Sequence, residues 1–133
     1  MPNYWILKTE PSTYSFEDLC RDRTTTWDGV ANPVAVRNIR AMAKGDQVMV
    51  YHTGGIKAVV GLASVASDPR PDPKNEKLAV IDLKAGDPLG APVTLVAIKA
   101  DKAFADLALV RAGRLSVVPV SENLWKRILG MAT

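Results

Sequence analysis

The sequence predicts a small α+β fold, a curved sheet or open β-barrel with short flanking helices. Three observations lead there. Segments rich in branched and aromatic residues recur at Tyr4–Thr9, Gln47–Thr53, Lys57–Ala66, Leu78–Lys84 and Ser116–Val120, each of strand length. Two of them are joined by Gly54-Gly55, a hairpin signal. Between them stand compact helix-start signatures at Ser15, Asn32-Pro33 and Ser121.

The elements follow in order. Tyr4–Thr9 is a strand ended by Pro11. Ser15, with Asp18 three residues on, forms a capping box that opens a short helix through Arg21. Thr24, Thr25 and Thr26 lead into Trp27-Asp28-Gly29, read as a loop. Asn32 caps a helix with Pro33 at its first position, running to about Ala43 and stopped by Gly45-Asp46. The strands Gln47–Thr53, Lys57–Ala66 and Leu78–Lys84 form a meander. The stretch from Ser67 to Asn75, with Pro69, Pro71 and Pro73, reads as an extended surface loop. Thr94 caps a short helix to about Asp101, and Leu107–Arg111 is compatible with helix or strand. Ser121 opens a last helix with Leu124, Trp125, Ile128 and Leu129 on one face.

Bulk properties bound the function. A chain of 133 residues is the size of one domain and hides roughly 65–70% of its unfolded surface. With 47% hydrophobic residues, disorder is excluded. Cys20 is the single cysteine, so no intramolecular disulfide forms and a reducing compartment is expected. The first residues lack a basic segment followed by an apolar one, and the run Ala58–Ser67 is about half the length that spans a membrane. A cytoplasmic monomer without membrane contact is the expectation. The net charge of +3 is a mild basic bias, smaller than counterion-driven grip on a long duplex usually requires.

Much catalytic chemistry is missing. His52 is the only histidine, which excludes multi-histidine zinc sites, and one cysteine excludes Cys-rich ones. There is no phosphate-cradling glycine loop and no G-x-S-x-G elbow. Cys20 is read as a small buried hydrophobe on an inward helix position rather than a partner of His52. No cofactor or metal is expected.

Three constellations remain. Lys8-Thr9-Glu10 ends the first strand, and alternation puts Lys8 and Glu10 on one side with Thr9, Leu7 and Trp5 on the other. It is either a salt-bridged strand end or the mouth of a pocket, with Thr9 inside and Lys8 and Glu10 at the rim. Trp27, read as a loop residue, is either a core plug or a platform for a flat base, a stack worth about 1–3 kcal/mol. Asn32 is a helix cap, beside free N–H groups that can meet an anion or a base oxygen. Arg37, Arg40 and Lys44, at i, i+3 and i+7, share one helix face. They form a solvated stripe or contact phosphates, as could Arg111 and Arg114.

Four separated motifs, in this order, resemble the EVE domain family. They are Tyr4-Trp5 with Lys8-Thr9-Glu10-Pro11-Ser12-Thr13-Tyr14-Ser15; Trp27-Asp28-Gly29-Val30-Ala31-Asn32; Gly45-Asp46 with Tyr51-His52; and Gly113-Arg114-Leu115-Ser116-Val117 with Pro119-Val120. The resemblance spans nearly the whole chain. It implies one PUA-like domain over 1–133, similar in fold to YTH readers, and a pocket for a modified nucleobase, with modified cytosine in DNA as the suggested ligand. Two positions depart from the family pattern. Ala31 stands where the family usually has arginine, and Leu78-Ala79 where a tryptophan often precedes the third meander strand. The segment from Tyr51 to Ala79 is also short. A more open pocket or a narrower specificity is the expectation, with one polar or phosphate contact of the family lost at Ala31.

The leading expectation is therefore a module that binds DNA, or alternatively RNA, its base stacked on Trp27 and hydrogen-bonded by Thr9, Asn32, Tyr51, His52 and Ser116. Lys8, Glu10, Asp28, Gly29 and Val30 form the rim, and Arg37, Arg40, Lys44 and Arg114 meet phosphates. The alternative is an amidohydrolase-like enzyme acting on modified nucleosides through Lys8, Thr9 and Glu10. A third class, a protein-interaction or sensing module, has no feature in its favour.

Overall fold

The computed structural model describes residues 2–132. Along the chain run β1 (Tyr4–Thr9), α1 (Phe16–Asp22), β2 (Thr24–Trp27), α2 (Pro33–Ala41), β3 (Gln47–His52), β4 (Ala58–Val65), β5 (Arg70–Asp72), β6 (Asn75–Thr94) and α3 (Leu95–Lys99). A 3-10 turn at Lys102–Phe104, α4 (Ala108–Arg111), β7 (Val117–Val120) and α5 (Glu122–Met131) complete it. The strands form one mixed sheet in the order β2-β6-β4-β3-β1-β7, with β5 folded back on β6. β1 and β3 are parallel, joined by the crossover through α1, β2 and α2; the remaining pairs are antiparallel.

The sheet curves without closing. Its two end strands, β2 and β7, do not pair with each other. Helix α2 spans between β7 and β6: Asn38 Nδ2 donates to Val117 O, and Arg40 Nη2 to Lys77 O. The curvature comes from β6, whose pairing with β4 shifts register on both sides of Gly61. Pro88 and Pro92 in β6 have no N–H for a ladder, which favours such shifts. A Cβ on Gly61 would overlap the Phe16 ring, so only glycine lets α1 lie this close to β4.

Both faces of the sheet are covered. Alternation along β1 sends Trp5 and Leu7 to one core with Phe16, Leu19, Val36 and Ile39 from α1 and α2. Ile6 goes to the other, with Ile98, Phe104, Trp125 and Ile128. The rings of Tyr4 and Trp125 sit 4.8 Å apart, pinning α5 to β1. Asp46 is the one buried charged residue among those described. Its carboxylate accepts from Trp5 Nε1 at 2.9 Å, Asn3 N at 3.0 Å and Ala43 N at 3.0 Å, tying the end of α2 to β1.

Several expectations change. Thr24 to Trp27 is a strand rather than part of a loop: β-branched threonines suit β2, an end strand paired on one side only, where outward residues stay polar. The stretch from Ser67 to Asn75 contains β5, which hairpins onto β6 despite Pro71. Helix α2 stops at Ala41, so Lys44 lies beyond it and the three-cation helix face reduces to Arg37 and Arg40. Leu107–Arg111 resolves as the helical turn α4. Cys20 is exposed, because Phe16 and Leu19, three apart, take the inward face of α1. Among the described residues no helix is long and apolar enough to cross a membrane.

Candidate nucleobase pocket

The ends of β1 and β2, the turn from Asp28 to Ala31 and Ser116 before β7 surround an open pocket of about 550 Å³. Trp27, the last residue of β2, faces inward opposite Ile81, and only 9% of its surface is accessible. Its ring belongs to the first core, as the core-plug reading has it, and also lines the pocket. Tyr14 meets it edge-on, with centroids 6.3 Å apart and planes at 81°. Gly29, at φ +77°, makes the turn that takes the chain from the tryptophan to Val30, a conformation β-carbons resist.

The polar groups are partly committed. Thr9 Oγ1 donates to Tyr14 O at 2.6 Å, which leaves its lone pairs available. Glu10 accepts from the N–H and hydroxyl of Ser12, and these bonds hold its carboxyl below the usual range. Lys8 Nζ donates to Gly113 O at 2.9 Å and stands 5.7 Å from the centre of the Tyr51 ring. Burial first, and the charge of Lys57 second, lower its pKa. Tyr14 Oη donates to Asp22, anchoring the aromatic wall to α1.

Of the residues singled out in the sequence, Thr9, Trp27, Ser116, Lys8, Glu10, Asp28, Gly29 and Val30 line this pocket; Asn32, Tyr51 and His52 do not. Asn32 Oδ1 caps α2, accepting from Val34 N and Ala35 N, so two of the free N–H groups expected there are taken. Tyr51 is buried in the core on the opposite face, where alternation along β3 places it with Met49. His52 Nε2 accepts from Phe16 N at 3.0 Å, a structural bond that holds the start of α1. Arg37, Arg40, Lys44 and Arg114 are exposed and outside the pocket; Arg40 is turned to Lys77 O. Ala31 lines the pocket, whereas Leu78 and Ala79 border a shallow groove beside Arg40. Tyr14 and Thr25 line the pocket without having been singled out as contacts. Tyr14 was visible only as part of the first motif.

The His52 bond carries a pH dependence. Burial lowers its pKa below 6.5, against the opposing pull of Glu17 and Glu10. The unfolded chain therefore binds the proton more readily, so this contribution is present above about pH 6.5 and lost as pH falls through the folded pKa. Melting temperature should fall between pH 7.5 and 5, before the carboxylates with lowered pKa titrate. His52→Gln, which keeps an acceptor for Phe16 N–H but cannot titrate, should flatten that part of the profile. An equally steep decline in the variant would place the effect elsewhere.

Comparison with known proteins agrees with the architecture. A protein of Rhodopseudomonas palustris solved by NMR superposes with a TM-score of 0.93 at 38% identity, covering 98% of this chain and 92% of that one. Human THYN1 protein, solved in complex with 5-methylcytosine-containing DNA, superposes at 0.89 with 23% identity, covering 98% and 97%. Rat thymocyte nuclear protein 1 is 28% identical over 98% of this chain and 74% of its own length. An ASCH protein from Zymomonas mobilis shares the fold more remotely, at 0.60 and 10% identity, over 96% and 97% of the two chains. The EVE domain family matches residues 3–131, the whole run from β1 to α5. With its sheet order, its Trp27 turn and its four motifs all inside that span, this chain belongs to the EVE domain family.

Proposed function

We propose that the Trp27 pocket receives a single nucleobase, and that the chain is a reader of modified bases, with a modified cytosine in DNA as its ligand. The observation that carries this reading is the pair of rings at the pocket, Trp27 with Tyr14 at a right angle to it, beside uncommitted polar groups. A base turned out of its strand would rest against the Trp27 face. Asp28 and the free lone pairs of Thr9 suit the exocyclic amine of cytosine, and the Ser116 hydroxyl can donate or accept at the ring edge. Val30 offers an apolar contact for a methyl group on the ring. The complex of human THYN1 protein with 5-methylcytosine-containing DNA supports the choice of ligand. Arg114, exposed two residues before Ser116, would meet a flanking phosphate.

Binding rather than catalysis is the reading the side chains favour. Thr9 gives its hydroxyl proton to a backbone carbonyl, Lys8 is held by Gly113 O, and the lone imidazole is occupied by Phe16 N–H. Thr9 therefore has no free imidazole beside it to act as its base. An exposed, unpaired thiol at Cys20 suits a reducing compartment such as the cytoplasm.

The test is a titration of matched DNA and RNA oligonucleotides carrying cytosine or 5-methylcytosine at one position. The modified DNA should bind at least several-fold tighter. Equal affinity for all four strands would remove the reading, and hydrolysis of an N-acylated nucleoside to its free amine and a carboxylate would replace it with the hydrolase.

A further inference from the structure

We propose that a second cleft, lined by Lys8, Lys57 and Lys99 on the other face of β1, seats a backbone phosphate of the strand whose base enters the Trp27 pocket. This rests on the base-binding reading for the identity of the strand.

The cleft has a volume of about 290 Å³, and Tyr51, Thr53 and Leu95 complete much of its wall. Among the described residues no acidic one lines it. Lys8 lines both this cleft and the base pocket, so the two depressions meet at the C-terminal end of β1. Its ammonium carries three N–H groups, one of which is given to Gly113 O; the Tyr51 ring lies beneath it. Lys57 and Lys99 are exposed, and among the described residues neither ammonium has a hydrogen bond or ion pair. The carboxylate beyond Thr53, that of Glu10, is already engaged by Ser12.

Burial first and the charge of Lys57 second lower the pKa of Lys8, and gathering three cations around one concavity adds repulsion. An anion relieves it. Lysine binds phosphate as a point charge without demanding the planar fork of a carboxylate, so three lysines from β1, β4's leading turn and α3 suit a phosphate's spread of oxygens. The connection through Lys8 favours a polynucleotide: with the base held at Trp27, its backbone passes over the end of β1, where the cleft begins. Arg114, between Gly113 of the cleft and Ser116 of the pocket, lies on the same path. Salt-sensitive, sequence-blind affinity would then come from the cleft and discrimination from the pocket.

The experiment compares the parent with Lys57→Gln/Lys99→Gln, measuring the affinity of single-stranded oligonucleotides with cytosine or 5-methylcytosine across a salt series. A second variant, Lys74→Gln/Lys77→Gln, removes the same charge from the exposed β5–β6 hairpin. The cleft variant should flatten the slope of log affinity against log salt by about 1.4, two contacts at roughly 0.7 each for a single strand. It should weaken both oligonucleotides alike, leave their ratio intact and keep the parental melting temperature; the hairpin variant should change the slope little. A parent that prefers the modified base while the cleft variant keeps the parental slope overturns the phosphate seat alone. A parent with no preference, but with the slope change confined to the cleft variant, removes the base reading and keeps the seat for nucleic acid. Equal slope changes in both variants overturn the seat, as does inorganic phosphate shifting the Gly113 amide resonance when oligonucleotide slopes are unaltered. In that last case the cleft is a site for free phosphate.

Discussion

Replacing Trp27 by Ala should lower the stability of the fold by about 3–5 kcal/mol, the usual cost of emptying a large aromatic site in a core. At 9% accessibility the indole is a core residue, packed in the cluster that holds Trp5, Phe16 and Val36. It also closes one side of the pocket against Tyr14, so binding falls with stability and the alanine variant alone cannot separate the roles. Trp27→Phe keeps part of the ring area and should retain most of the stability while giving up part of the stacking, itself worth about 1–3 kcal/mol. Denaturant melts and oligonucleotide titrations on the same two variants read both. Parental melting of the alanine variant would contradict the packing described here. A folded phenylalanine variant with undiminished preference for the modified base would take the indole out of recognition.

Asp46→Ala should cost about 1–3 kcal/mol, for a different reason. Its carboxylate accepts three N–H groups, and removing it strands the indole N–H of Trp5, a residue 6% exposed, together with the amides of Asn3 and Ala43. Of the three donors only the indole N–H is fully buried, and leaving it unpaired costs about 1–3 kcal/mol, whereas water reaches the part-buried amides. Asp46→Asn preserves shape but turns an amide N–H₂ toward donors, so an intermediate loss is expected. The midpoint of urea unfolding measures both. A loss below about 1 kcal/mol for the alanine variant would mean that water replaces the carboxylate.

How far each feature was legible depends on whether its cause is local. The capping box at Ser15, the Asn32-Pro33 start and the caps of Thr94 and Ser121 all stand where sequence spacing put them, since each is decided within four residues. Strand alternation set Lys8 and Glu10 on the side opposite Thr9, yet all three line one pocket, because it lies at the end of β1 where the alternation stops. Trp27 was misread because three threonines before it look like turn polarity; they are the β-branched residues of an end strand, and only pairing with β6 reveals it. Tyr51 and His52 were grouped with the pocket by adjacency in a motif. Alternation sends Tyr51 to the far face, and a backbone N–H from α1 takes His52.

The sequence by itself determined the class of fold, most helix starts, the lack of multi-histidine or cysteine-rich metal chemistry and the family to which the chain belongs. Those depend on composition, on short-range periodicity and on motifs that stay in order along the chain. Tertiary structure alone decided that the sheet stays open with α2 across its gap, that Asp46 caps a buried indole and that Tyr14 turns its edge to Trp27. It also decided that Lys8 from β1, Lys57 from the turn before β4 and Lys99 from α3 surround one cleft. Such groupings join residues tens of positions apart, and their energy comes from desolvation and charge shared in space, which no local pattern encodes.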